Sequence, residues 1–130
     1  MVVEAEIFPR ILNCLKDLDN LVRKNAATCI REIAKQTAEL AKLIVHSGGS
    51  AAIVEYISET KGSNRLPGIM TLGYISAFDE SLAMAVIISK GIAPLKDALI
   101  NEPEDHIKAG AAWTLGQIGR HSSEHAKALA

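Results

Sequence analysis

The stretch Ala26-Ala27-Thr28-Cys29-Ile30-Arg31-Glu32-Ile33-Ala34 returns in altered form as Gly68-Ile69-Met70-Thr71-Leu72-Gly73-Tyr74-Ile75-Ser76. It returns again as Ala111-Ala112-Trp113-Thr114-Leu115-Gly116-Gln117-Ile118-Gly119. The first shift is 42 residues and the second is 43. The same register aligns Ile11 with Ile53 and Leu95, Leu15 with Ile57 and Leu99, Gly49 with Gly91, and Arg23 with Arg65 and Lys108. Thr37–Lys42 meets Ser122–Lys127 across both shifts, and one residue is inserted between Leu99 and Leu115. A period shared by apolar, glycine and charged positions indicates internal duplication, the signature of a stacked array.

Each period carries the punctuation of three helices. A short first helix is expected over 37–47, 79–90 and from 122 onward, with Thr37, Asp79 and Ser122 as N-caps, since each offers an oxygen to an orphan backbone N–H. Gly49 and Gly91 are expected where these helices end in a left-handed residue. A second helix is expected over 7–18, 50–60 and 92–101, with Pro9 and Pro94 in the first turn. A third and longest helix is expected over 20–36, 63–77 and 104–119. On it Ala26, Ala27, Ile30, Ile33 and Ala34, matched by Ala111, Ala112, Leu115, Ile118 and Gly119, form one buried stripe at spacings of three and four. A second stripe faces water or a partner: Thr28, Glu32 and Lys35, then Met70 and Tyr74, then Trp113, Gln117 and Arg120.

Composition narrows the classes. The chain has 130 residues, 48% of them apolar and only 4% aromatic, so its core is expected to be thin and spread along the chain. Fourteen basic and 15 acidic side chains are interspersed, without the basic excess that nucleic acid or an anionic membrane would call for. No apolar run is long enough for a membrane span, and the start lacks the order of a signal peptide. Cys14 and Cys29, with no CxxC spacing, point to a reducing, cytoplasmic setting and to buried structural thiols. The expected product is soluble and non-catalytic.

Three helices per period, the first very short, resemble the armadillo-repeat family. Ala111–Ile118 is similar to its long-helix motif, and Ser89-Lys90-Gly91-Ile92-Ala93-Pro94-Leu95 resembles its glycine turn. HEAT repeats are the nearest competitor and lack the short first helix. The resemblance implies an all-α, right-handed superhelical solenoid of three-helix repeats. In that frame 1–36 is a partial repeat, 37–78 and 79–120 are full repeats, and 121–130 opens another. Gly68-Ile69-Met70-Thr71-Leu72-Gly73-Tyr74-Ile75-Ser76-Ala77-Phe78 and essentially the whole remaining chain also look like one armadillo protein of the central apparatus of motile cilia and sperm flagella. That likeness, rather than composition or spacing, implies a cytoskeletal, axonemal location, partners among central-apparatus proteins with microtubules as a further candidate, and a role in flagellar structure and motility.

The chain opens in a second helix and stops in a first, which reads as a piece of a longer array. Ile7, Phe8 and Leu12 at one end and Ala128 and Leu129 at the other are expected to be exposed. Weak or swapped self-association is then expected through the ends and a hinge at 62–68, where Pro67 and Gly68 weaken the helix.

The remaining chemistry is thin. His121, Glu124 and His125 could share a helix face, but the pair straddles a cap without a third ligand, and no metal site is expected. Gly48-Gly49-Ser50 lacks the strand and the Lys-Ser/Thr of a phosphate loop. No nucleophile, base and acid come together, so neither a reaction nor a cofactor is expected. Function falls to the second stripe, as the protein-binding concave face of a scaffold. The alternative is an adaptor for cargo peptides, as in nuclear import. Import adaptors, which the chain resembles in fold, repeat a Trp followed four residues later by Asn. Here the pairs are Trp113 with Gln117, Met70 with Tyr74, and Thr28 with Glu32, so that ladder is absent.

Overall fold

A computed structural model describes residues 2–121. Its helices are α1 (Val2–Cys14), α2 (Asn20–Ala34), α3 (Ala38–His46), α4 (Gly49–Glu59), α5 (Leu66–Phe78), α6 (Glu80–Ile88), α7 (Ile92–Asn101) and α8 (Asp105–Gly119), and a single 3₁₀ turn (Gly62–Arg65) precedes α5. No strand occurs among the described residues. The long helices α2, α5 and α8 pack side by side in chain order, and the shorter helices stack behind them. One apolar core runs the length of the array, from Phe8 and Ile30 through Ile53, Ile69 and Leu72 to Leu95, Ile107 and Ile118. It is built from Ile, Leu, Val and Ala, so the low aromatic content is matched by close helix approach.

Local chemistry sets the boundaries. Thr37 accepts the Leu40 N–H at 3.1 Å and Asp79 accepts the Leu82 N–H at 2.8 Å, which starts α3 and α6. That backbone hydrogen bond, with a second from Ser81, holds the Asp79 carboxyl below the usual carboxylate range. The cap of α2 is Asp19, which takes the Leu21 N–H at 2.8 Å. Ser122, and with it the first helix expected from 122 onward, lies outside the described residues.

Several boundaries differ from the sequence reading. Helix α1 runs back to Val2, so Pro9 sits inside it rather than in its first turn, with its ring on the exposed side. Phe8 is 1% exposed although the chain end was expected to bare it. The reason is helical spacing: Phe8 and Leu15, seven residues apart, turn inward together, with Ile11, Leu12 and Cys14 half-buried against the core, while Ile7 points outward. The third helix of the middle period begins at Leu66, not 63, because residues 62–65 tighten into the 3₁₀ turn. Ala112 is exposed and leaves the buried stripe, which narrows to Ala111, Leu115 and Ile118.

The turn between the short helices is also shifted by one residue. The left-handed residues are Gly48 (φ 81°) and Lys90 (φ 66°), not Gly49 and Gly91. Gly49 and Gly91 are fixed by space instead: a methyl on Gly49 would stand 2.6 Å from Ile44 Cγ2, and one on Gly91 2.8 Å from Val86 Cγ1. Lys90 therefore carries the backbone strain that Gly48 avoids. Substituting Lys90→Gly is expected to raise stability by about 1 kcal/mol, read as a higher urea midpoint at unchanged slope. An unchanged or lower midpoint would show that the left-handed turn costs nothing here.

A pair of arginine latches joins successive periods. Arg23 donates from Nε to the Leu15 carbonyl at 2.9 Å and from Nη2 to Glu59 at 2.7 Å, with its guanidinium 5.4 Å from the Tyr56 ring centroid. Arg65 repeats the geometry from Nη2 to the Ile57 carbonyl at 2.9 Å and from Nη1 to Glu102 at 3.1 Å. Each arginine thus ties the end of the helix before it to a carboxylate one period later. Burial of Tyr56, whose hydroxyl donates to the Asn64 carbonyl, pushes its phenol up. Glu102 also accepts the Gly62 N–H at 3.0 Å. The hinge expected at 62–68 lies on this turn, which these bonds hold closed.

Candidate protein-interaction face

The outward stripe of α2, α5 and α8 forms one continuous surface, because the three helices are neighbours in one layer. All eight residues expected there are exposed or half-buried, and none belongs to the core. Thr28 donates its hydroxyl to the Lys24 carbonyl at 2.9 Å, so it turns back onto its own helix. Met70 leans across α8, with its sulfur facing Gly110.

The centre of the face is aromatic. Tyr74 and Trp113 meet edge to face, with centroids 5.3 Å apart and planes at 67°. Such pairs favour this offset because the electropositive ring edge meets the electronegative ring face. Trp113 lies over Gly73, where a methyl would overlap its Cζ3 and stand 2.7 Å from Thr114 Oγ1. Thr114 in turn donates to the Ile69 carbonyl at 2.9 Å. Trp113 is therefore held on α5 as well as α8, a rigid platform rather than a free side chain.

Polar groups flank it. On α2, Glu32 is gripped by Lys35 at 3.0 Å and by Arg31 at 3.1 Å. The Lys35 hydrogen bond, helped by Arg31, holds the Glu32 carboxyl below its usual range. On α8, Arg120 donates to the Gln117 side-chain carbonyl at 2.8 Å. The ring Nε2 of His121 meets the Ser76 carbonyl, which pins the end of α8 to α5.

The other candidate chemistry does not assemble. Among the described residues no group of three or more His, Cys, Asp or Glu side chains could hold a metal ion, and Glu124 and His125 lie outside them. Neither thiol is part of the core. Cys29 is exposed and Cys14 is half-buried, and both line an open pocket of about 310 Å³ with Ile11, Val22, Asn25 and Ala26. Cys29 occupies the repeat position of Thr114, which is covered by α5, whereas α2 has no long helix on that side among the described residues. No described helix is long and apolar enough to cross a membrane.

The arginine latches and Arg31 escaped the sequence reading. The repeat position shared by Arg23, Arg65 and Lys108 was their visible signal, but the carboxylate partners lie one period away. Arg31 was hidden because the corresponding residues are glycines, Gly73 and Gly116.

Comparison with known proteins agrees with this architecture. A HEAT-repeat family model matches residues 7–37, which cover most of α1 and all of α2. A 36-residue stretch, 28% of this chain, is 69% identical to human sperm-associated antigen 6 and accounts for 7% of that protein. The mouse protein matches at 67% over the same length. Importin subunit alpha-1b of Oryza sativa subsp. japonica is 25% identical over 92% of this chain and 22% of its own length. This chain therefore spans only a small part of the curated relatives it matches. Among solved structures, a designed armadillo repeat protein in complex with peptide (KR)4 superposes with a TM-score of 0.87 at 16% identity, over 93% of this chain and 50% of that one. An engineered protein gives 0.86 at 24%, over 92% and 48%. The fold is an all-α armadillo-repeat solenoid.

Proposed function

We propose that this chain is a non-enzymatic interaction scaffold of the axonemal central apparatus, holding segments of other proteins on the face lined by α2, α5 and α8. The observation that carries the reading is the Tyr74–Trp113 pair, a fixed aromatic platform half open to solvent in the middle of that face. Tyr, Trp and Arg dominate the energetics of protein interfaces, and rigid anchors lose little entropy on binding. The contact residues are Thr28, Glu32, Lys35, Met70, Tyr74, Trp113, Gln117 and Arg120. The axonemal setting draws on the similarity to sperm-associated antigen 6, whose matched stretch is short. In that setting the scaffold supports flagellar structure and motility.

A second reading, a cargo-peptide adaptor, draws on the similarity to an importin subunit. It needs a face suited to basic peptides, and the absent Trp-to-Asn ladder and the cations beside Glu32 count against it.

The test is affinity capture from motile-ciliated cell extract, with Tyr74→Ala, Trp113→Ala as the paired bait. Loss of two hot-spot aromatics is expected to lower recovery of axonemal proteins by at least about tenfold. Equal recovery by both baits would move the site off this face. Import factors in place of axonemal proteins would favour the adaptor.

A further inference from the structure

We infer that Cys14 and Cys29 are a redox pair, closed into a disulfide by a peroxide and reopened by reducing thiols. The inference is independent of the interaction face. It starts from a coincidence of position. The chain's two cysteines lie 15 residues apart on different helices, yet both line one open pocket of about 310 Å³ between α1 and α2.

Helical spacing explains the meeting. Ile11 and Cys14 share one face of α1, and Val22, Asn25, Ala26 and Cys29 share one face of α2. The bond from Arg23 Nε to the Leu15 carbonyl fixes the end of α1 against α2, so the two faces border the same groove. The thiols stand on its two walls, and Ala26, with a single methyl, leaves the space between them open. The other periods hold no such pair. Cys14 corresponds to Tyr56 and Ala98, and Cys29 to Thr71 and Thr114, and all four of these are buried. The two threonine hydroxyls donate to the Pro67 and Ile69 carbonyls. The first period alone puts sulfur at both positions, with Cys29 exposed and Cys14 half-buried.

Buried thiols are inert, whereas an accessible pair can be oxidised. The exposed Cys29 reacts first. Its sulfur attacks one peroxide oxygen, the O–O bond breaks, and a sulfenic acid and one water form. The Cys14 sulfur then attacks the Cys29 sulfur, the S–O bond breaks, and the departing hydroxide takes the Cys14 proton as a second water. The two thiols have lost two electrons, and the peroxide has gained them. A bridge needs its Cα atoms within about 7 Å. Cys14 is the last residue of α1, so its backbone can settle to that distance through the turn that follows, without unwinding a helix. In a reducing compartment such a bond is transient and reports the presence of oxidant. While closed, it ties the end of α1 to the middle of α2.

The experiment treats the reduced full chain with hydrogen peroxide and reads intact mass, free thiols and urea unfolding. The expected product is a monomer about 2 Da lighter with no free thiol, and dithiothreitol should restore both thiols. Peptide mapping should find Cys14 joined to Cys29, and the urea midpoint should rise on oxidation, because the bridge restricts the unfolded chain. Cys14→Ser should stop at the sulfenic acid, about 16 Da heavier, with no rise in midpoint. Cys29→Ser should react more slowly than Cys14→Ser, since its remaining thiol is half-buried. A monomer that gains about 16 or 32 Da and forms no bridge would overturn the inference. A dimer linked through Cys29 would overturn it too, by placing the resolving thiol on another copy, and so would two thiols left intact by the peroxide.

Discussion

Replacing Arg65 with methionine is expected to cost about 3–5 kcal/mol, a large share of the roughly 5–15 kcal/mol that holds a domain of this size together. Arg65 is 1% exposed and serves three partners: the Ile57 carbonyl at 2.9 Å, Glu102 at 3.1 Å and Asp97 at 3.1 Å. Its Nε finds no acceptor, so the side chain is held despite one unmet donor. Without the guanidinium, Glu102, itself 4% exposed, keeps only the Gly62 N–H as a partner. The cost is then that of an uncompensated buried carboxylate, not that of a lost surface pair. Removing both charges, as in Arg65→Met, Glu102→Met, should be far milder than Arg65→Met alone. Arg65→Lys should fall between, because an ammonium cannot reach a carbonyl and two carboxylates in the planar fork. Urea unfolding followed by helical circular dichroism reads all three. A single mutant within about 1 kcal/mol of the parent would show that water reaches Glu102 and that the latch is ornamental.

That latch marks where sequence reading stops. The period was legible because each apolar position recurs three times, and one accidental match cannot reproduce that. Thr37 and Asp79 were legible as caps because their hydrogen bonds close within three residues. Pairings between periods left only half a trace, since the arginines keep the register and their carboxylates do not. Arg23 meets Glu59 and Arg65 meets Glu102, and the inserted residue falls before Glu102, so the two carboxylates sit 43 apart where Ile57 and Leu99 sit 42 apart. Glycine was misleading for a related reason. Gly49 and Gly91 suggested positive φ, but their neighbours Gly48 and Lys90 adopt it, and the two glycines answer to the side chains of Ile44 and Val86. The outward stripe followed from periodicity alone. The lie of Trp113 did not, since it depends on what α5 lacks at Gly73.

Gly73→Leu is expected to be the second severe substitution, and the one that couples stability to the interaction face. By intrinsic propensity replacing a mid-helix glycine with any residue but proline should help, by about 1 kcal/mol for alanine. Here the first added carbon already overlaps Trp113 Cζ3 and stands 2.7 Å from Thr114 Oγ1. Thr114 is fully buried and bonded to Ile69, so it resists moving. Trp113 is half-buried and yields, swinging off α5 and breaking its contact with Tyr74. Overpacking of this kind costs about 1–3 kcal/mol, and leucine's further carbons outweigh the propensity gain. The expected signature is lower stability together with a red-shifted Trp113 emission. Gly73→Ala should be nearly neutral in stability, as propensity and overlap offset, yet carry the same spectral shift. Combining Gly73→Ala with Trp113→Ala separates the two effects. The alanine should be more favourable without the indole than with it, by a coupling of about 1 kcal/mol. A Gly73→Ala variant that gains the full propensity increment with unchanged emission would mean that the indole is not seated on α5. The face would then be a set of mobile side chains, and its affinity for any segment would carry the entropy of ordering them.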